Sequence, residues 1–365
     1  MKLFLIAPAN SIHTKRWVKS LAEKGYDIFL FSFSDTTTDK NIYYNNINIY
    51  ECGINDTQKI SSKIRYLLSY KKLKRAIKKF NPDIVHAHYA SSYGLVGTLL
   101  NFHPFIVSVW GSDIYDFPKK NILYRFIIKF VLKRADCILS TSHKMAKVTS
   151  KYTKKEIFVT PFGVDTSLFK KGMVKIDWGS ECVIGNVKTL APKYGIDILI
   201  KAFKHFRDNN ISLNPKLIII GDGPFKEEYL KLAQDLDLND NISFLGQIPN
   251  SELPTYYNSF SLTVFPSIYD SESFGVVAVE SMSCECPVVV SDADGFTEVV
   301  ENGLTGIIVP KFNIEATANA IQELILDNSR RIEMGMKGRE RVLRLYDWNK
   351  NVRNMESIYE HIVRK

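Results

Sequence analysis

Short apolar runs alternate with amphipathic stretches along the whole chain, and that rhythm admits few architectures. Residues 3–7 form an apolar run, residues 13–23 have helical spacing, and residues 27–33 read as strand again. Further strand-like runs fall at 83–88, 105–109, 137–141 and 157–160, with helical patterns between them. A second series follows at 182–187, 216–220, 242–245, 261–265, 287–290 and 306–309, with helices over 195–207 and 314–326 among the intervening stretches. Continuous apolar strands separated by helices mark a parallel sheet covered on both faces. Residues 161–180 lose the rhythm and carry Pro161, Gly163, Gly172 and Gly179, so a linker is expected there. The chain has 365 residues, enough for two cores. The fold predicted is α/β, two doubly wound domains (1–165 and 166–345) facing each other across a cleft. Ligands of such sheets bind at the carboxyl ends of the strands, where the strand order reverses.

Charge is divided between the halves. Residues 1–165 hold 26 Lys/Arg against 12 Asp/Glu, a net +14, and residues 166–365 hold 22 against 27, a net −5. The first half is therefore expected to face something anionic. No nucleic-acid motif accompanies the charge, so nucleic acid is not the expected partner. Five scattered cysteines argue for reduced thiols and a cytoplasmic setting. Cys284 and Cys286 lack the further ligands of a zinc site. Residues 1–8 hold one lysine and a run too short for a secretory signal, and charge interrupts every long apolar stretch.

The most informative segment is Ser271-Glu272-Ser273-Phe274-Gly275-Val276-Val277-Ala278-Val279-Glu280-Ser281-Met282. A helix over about 275–283 places Glu280 in its second turn and Glu272 on the loop before it. Fully helical spacing would separate the two carboxylates by roughly 12 Å. That distance suits the two ends of a nucleotide sugar, with its diphosphate over the backbone N–H groups of a helix start. Two solvated glutamates flanking an ordinary helix are the plainer alternative.

The flanks decide between them. Glu272, seven residues, Glu280 and then Cys284-Glu285-Cys286-Pro287-Val288-Val289 resemble the signature of the retaining glycosyltransferases of family 4, with the GT-B fold. Four further segments fall in that family's order: Phe162-Gly163-Val164-Asp165, Val187-Lys188-Thr189-Leu190-Ala191-Pro192-Lys193-Tyr194-Gly195, Gly221-Asp222-Gly223-Pro224 and Asn302-Gly303-Leu304-Thr305-Gly306. The resemblance covers nearly the whole chain. It implies a C-terminal helix over 346–365 that returns to the first domain. It also implies a nucleotide-diphosphate sugar as donor, and a glycan or lipid-linked acceptor of cell-surface polysaccharide synthesis. By the same resemblance Glu272 holds the donor sugar and Glu280 the ribose. Lys188 and Lys193 neutralise the diphosphate, and the amides of Phe274, Gly275 and Val276 meet phosphate and sugar. Two ammonium groups can do for a leaving diphosphate what a metal ion does elsewhere, so no metal or cofactor is expected. Asp292-Ala293-Asp294 is read as a coincidental copy of a metal motif.

Departures from the family's pattern matter as much. Trp110 stands where many relatives carry a histidine, and Trp can act as neither acid nor base. Asp113, three residues on, is then the nearest group able to bond a sugar hydroxyl; as a turn or cap residue it would do no such thing. His13, with Trp110, is the acceptor-side candidate, and His86 and His88 are weaker ones. Lys188 replaces the usual arginine, losing its bidentate fork, Tyr194 lengthens the loop by one residue, and Pro8-Ala9-Asn10-Ser11-Ile12 lacks a glycine pair. Two segments, residues 60–80 and 119–134, combine cations with apolar residues at helical spacing and suit an anionic membrane surface on its cytoplasmic side. The other classes weighed are a nicotinamide-dependent dehydrogenase, prompted by Gly221-x-Gly223, and a non-catalytic nucleotide-binding protein. Lys226 at the third glycine position speaks against the first.

Overall fold

A computed structural model describes residues 1–33, 46–53, 66, 68–172 and 174–364. Two compact units emerge: Met1–Pro161 with Lys350–Lys365, and Phe162–Asn349. The units divide after Pro161, at the start of the stretch expected to hold the linker. Phe162, Val164 and Phe169 are buried in the second unit. There Val164 N donates to Tyr346 O at 2.8 Å and Trp348 N to Val164 O at 2.9 Å.

The first unit is a parallel sheet of seven strands in the order β3-β2-β1-β4-β5-β6-β7. The strands are β1 (Lys2–Ile6), β2 (Asp27–Ser32), β3 (Ile47–Glu51), β4 (Ile84–His88), β5 (Phe105–Val109), β6 (Cys137–Ser140) and β7 (Ile157–Val159). Central strands β4, β5 and β6 are buried at every residue, which is why they read as mainly apolar runs, with His86, His88, Ser108 and Ser140 as buried polar exceptions. Strand β3 was not expected. It lies at the sheet edge, partly exposed along its length, and so has no apolar run to announce it.

The second unit holds β8 (Val183–Val187), β9 (Lys216–Ile220), β10 (Ile242–Gly246), β11 (Leu262–Phe265), β12 (Val288–Ser291) and β13 (Gly306–Val309), in the order β10-β9-β8-β11-β12-β13. Every pairing is parallel. Its first helix, Ile196–Asn209, buries Ile196, Ile198, Leu199, Ile200, Ala202, Phe203 and Phe206. Each large apolar side chain so buried contributes roughly 1.5–3 kcal/mol.

Of the two cationic segments, Ile60, Ile64 and Leu67 lie outside the described residues. The helix Tyr70–Phe80 buries Leu73 and Ile77, so its apolar stripe packs on the sheet and its lysines face water. No helix among the described residues is long and apolar enough to cross a membrane.

The helix Trp348–Val363 ends the fold, and Tyr359 on it is 1% exposed within the first unit. Its hydroxyl lies 2.7 Å from Nδ1 of His86, whose Nε2 lies 2.7 Å from Oγ of Ser108. Burial lowers the His86 pKa from 6.5 to about 3 and that of His88 well below 6.5. Both rings are therefore neutral in the folded protein, while the unfolded chain binds a proton at each below about pH 6.5. Stability should fall as pH drops from about 6.5 to about 5, by about 1.4 kcal/mol per pH unit for each histidine. Calorimetric Tm values across that range should show a slope reduced by about one proton in His88→Phe; an unchanged slope would refute the buried neutral ring.

Candidate active site

Strands β8 and β11 meet where the strand order reverses. Their ladder has two register pairs, Ile184 with Leu262 and Gly185 with Thr263, against five between β8 and β9. Past that point a side chain replaces the ladder: Nδ2 of the fully buried Asn186 donates to Val264 O at 2.7 Å. The strands then part, and the loops at their carboxyl ends converge.

Those loops touch backbone to backbone. Gly195, at φ +65°, lies so close to the β11 loop that a Cβ would stand 2.1 Å from Pro266 O, while Ile268 N donates to Lys193 O at 3.0 Å. Gly295, at the start of the helix Asp294–Val299, would place a Cβ 2.2 Å from Glu272 O, and its N–H donates to that oxygen at 2.8 Å. Gly221 and Gly223 bring the β9 loop against Lys188 and Leu190 in the same way. The Gly-x-Gly that resembles a dinucleotide fingerprint thus serves loop packing here.

Within this frame Lys188 Nζ lies 2.5 Å from Glu272 Oε2, with both side chains nearly buried at 12% and 11% exposure. Ser267 Oγ donates to the same oxygen at 3.3 Å. Tyr194, the extra loop residue, has a plain role: its ring centroid is 4.6 Å from Lys188 Nζ and 4.7 Å from Lys193 Nζ. One ring therefore steadies both ammonium groups. Lys193 itself is exposed.

Glu280 sits in the second turn of the helix Val276–Ser283 and is 5% exposed. Its Oε1 accepts from Asn250 Nδ2 at 3.0 Å and its Oε2 from Tyr257 OH at 3.1 Å. Burial, reinforced by Glu280, holds the Tyr257 pKa well above 10, so the hydroxyl keeps its proton and donates. Gly275 caps this helix at φ +76°. Phe274 is 2% exposed and edge-on to Phe162 and Tyr346, so its side chain is committed to packing. Asp292 accepts from Lys311 N at 3.0 Å, and Lys311 Nζ reaches Asp270 at 2.7 Å, tying three strand-end loops together.

In the first unit the sugar contact expected of Asp113 gives way to a structural one. Asp113 is 1% exposed, and its carboxylate accepts from the amides of Ala90 at 2.8 Å, Gly111 at 2.9 Å and Trp110 at 3.1 Å. Desolvation raises its pKa, and the amide bonds oppose that rise. These bonds hold the turn after β5 that presents Trp110. The indole, 7% exposed, packs against His88 (ring centroids 4.3 Å apart), Tyr89 (5.2 Å) and, edge-on, His13 (5.9 Å). His13 and Trp110 thus share one aromatic group.

Comparison with known proteins places this arrangement. The family described as glycosyl transferases group 1 matches residues 175–341, and that described as glycosyl transferase 4-like matches residues 2–142. The chain belongs to the group 1, family 4-like glycosyltransferases. An uncharacterised glycosyltransferase of Methanocaldococcus jannaschii is 29% identical over 96% of this chain and 94% of its own. The N-acetyl-alpha-D-glucosaminyl L-malate synthase of Bacillus anthracis is 26% identical over 95% and 92%. Among solved structures, HepE of Anabaena in complex with UDP-glucose has the same fold, with a TM-score of 0.79 at 17% identity over 99% of this chain and all of its own. The enzyme is a glycosyltransferase.

Sequence reasoning missed Asn186, Asn250, Tyr257 and Lys311, and the role of Tyr194. Only Tyr194 left a signal, the one-residue lengthening of its loop.

An alanine in place of a helical glycine usually stabilises by up to about 1 kcal/mol. Gly295→Ala should do the opposite, because its Cβ would displace the Glu272 backbone. A lower Tm together with loss of transfer is expected; a Tm at or above wild type would show that the loop contact is dispensable.

Proposed function

We propose that the protein is a retaining glycosyltransferase that moves a hexosyl or N-acetylhexosaminyl group from a nucleoside-diphosphate sugar to a glycan or lipid-linked acceptor of cell-surface polysaccharide, working in the cytoplasm at the inner membrane face. The observation that carries this reading is the Lys188–Glu272 pair at the parting of β8 and β11. The sugar transferred by the Bacillus relative and the donor bound by HepE support the donor class.

A nearly buried ion pair at the mouth of this crevice is poised for exchange. The incoming diphosphate takes over the ammonium of Lys188, with Lys193 beside it, and releases the Glu272 carboxylate to the hydroxyls of the donor sugar. Glu280, oriented by Asn250 and Tyr257, accepts from the ribose hydroxyls. The amides at the start of the helix Val276–Ser283 meet phosphate. The bond from the anomeric carbon to phosphate oxygen then breaks as the acceptor hydroxyl attacks from the same face. The departing phosphate oxygen takes the acceptor's proton. The lysines carry the charge that develops on the leaving group, so no metal is assigned a step. Asp113 acts by position, holding Trp110 and the turn after β5.

Glu272→Gln should nearly abolish transfer yet leave nucleoside-diphosphate affinity at or above that of wild type, since Lys188 loses its competing partner. Lys188→Ala should weaken the diphosphate far more than the nucleoside, by calorimetry. Loss of nucleotide affinity in Glu272→Gln equal to its loss of transfer would exclude the exchange. A thermal-shift panel completes the test: UDP or GDP should stabilise the protein, NAD should not. Assay of a nucleotide-sugar panel with product mass spectrometry then identifies donor and linkage.

A further inference from the structure

The helix Ile122–Arg134 is apolar on two sides. Ile128, Val131 and Leu132 are buried in the first unit's core. The opposite side leaves Ile122 67%, Leu123 62%, Phe126 61% and Phe130 45% exposed. Ile122, Phe126 and Phe130 stand four residues apart and make one stripe along the helix. Arg125, Lys129 and Lys133, also four apart and exposed, run beside it. A hollow of about 220 Å³ lies where the stripes meet, lined by Ile122, Arg125, Phe126 and Lys129. From residue 119 to 134 there are six cations and no acidic residue.

We propose that this face docks into the interface of an anionic lipid bilayer, with the phenylalanines among the acyl chains and the basic stripe at the lipid phosphates. The inference rests on the membrane-side reading of the function and gives it a place. Charge complementarity selects the occupant. Protein interfaces deplete lysine from their cores, whereas an interfacial helix pairs an apolar face with flanking cations and sinks it about 5–10 Å into the headgroup boundary. The more basic helix Tyr70–Phe80 lacks this second feature. Its buried apolar residues, Leu73 and Ile77, face the core, and Lys71, Lys72, Lys74, Arg75, Lys78 and Lys79 are left outside; the exposed Leu68 before the helix stands singly, with no apolar stripe on the helix beside it.

Sedimentation of the full chain with phosphatidylglycerol-containing vesicles, against pure phosphatidylcholine, tests the proposal. Wild type should bind the anionic vesicles and lose them as salt shortens the screening length. Phe126→Asp combined with Phe130→Asp should weaken binding at least about tenfold, whereas Lys71, Lys72, Lys74 and Lys78 changed together to Gln should cost less than about threefold. Should the aspartate variant melt early, Phe126→Trp supplies a second readout: its added fluorescence should shift to the blue on anionic vesicles and be quenched by brominated acyl chains. Undiminished binding of the aspartate variant, or indole fluorescence in the Phe126→Trp variant untouched by vesicles, overturns the assignment of this helix. If the Lys71 group alone abolished binding, the membrane reading would stand and this face would not. No binding by wild type would overturn both. Concentration-dependent dimers dispersed by the Phe126 and Phe130 changes, without vesicle binding, would show a second copy to be the occupant.

Discussion

Everything at the candidate active site depends on a pair of strands that cannot stay together. After two register pairs the β8–β11 ladder stops, and the amide of Asn186 makes the last bond across the gap. Parallel strands twist steadily apart from neighbours whose connections run to opposite sides of the sheet, so the reversal of order opens a crevice at their carboxyl ends. A buried asparagine there satisfies a carbonyl that the ladder no longer can. The following residues, Lys188 on one strand's loop and Glu272 on the other's, are then forced to face each other.

Two opposite charges nearly removed from water persist only because each compensates the other. Their geometry is set by backbone, through glycines that let the loops of β8, β9, β11 and β12 lie against one another where any side chain would collide. A rigid frame of this kind presents charge at fixed positions without using flexible side chains to reach them. Tyr194 adds a weaker but directional restraint on both lysines. The pair carries no net charge of its own, which suits a site whose ligand brings negative charge with it.

The first unit uses its buried polar groups differently. His86 joins Ser108 on β5 to Tyr359 on the last helix, and Asp113 collects two amides of the β5 turn and that of Ala90 after β4. These groups are satisfied by the fold itself. What they leave at the end of the sheet is an aromatic group of Trp110, Tyr89, His88 and His13, in which the indole itself can only pack and stack.

The amino-acid order alone determined the two parallel sheets, because strands buried on both faces must be mainly apolar, and the spacing of Glu272 from Glu280, because a helix start lies between them. The helix Trp348–Val363 was expected from the family resemblance. Strand β3 was not, since an edge exposed to water carries no apolar run. Only tertiary structure decided which cation meets Glu272, which groups orient Glu280, and that Asp113 serves its own turn. Those outcomes come from residues up to 84 positions apart, as with Lys188 and Glu272, and local periodicity carries no trace of contacts at that range. The two cationic helices make the same point. Both read as amphipathic in sequence, yet core packing consumes the apolar stripe of Tyr70–Phe80 and leaves a second stripe of Ile122–Arg134 in water, because the latter alone has apolar residues on more sides than the sheet can cover.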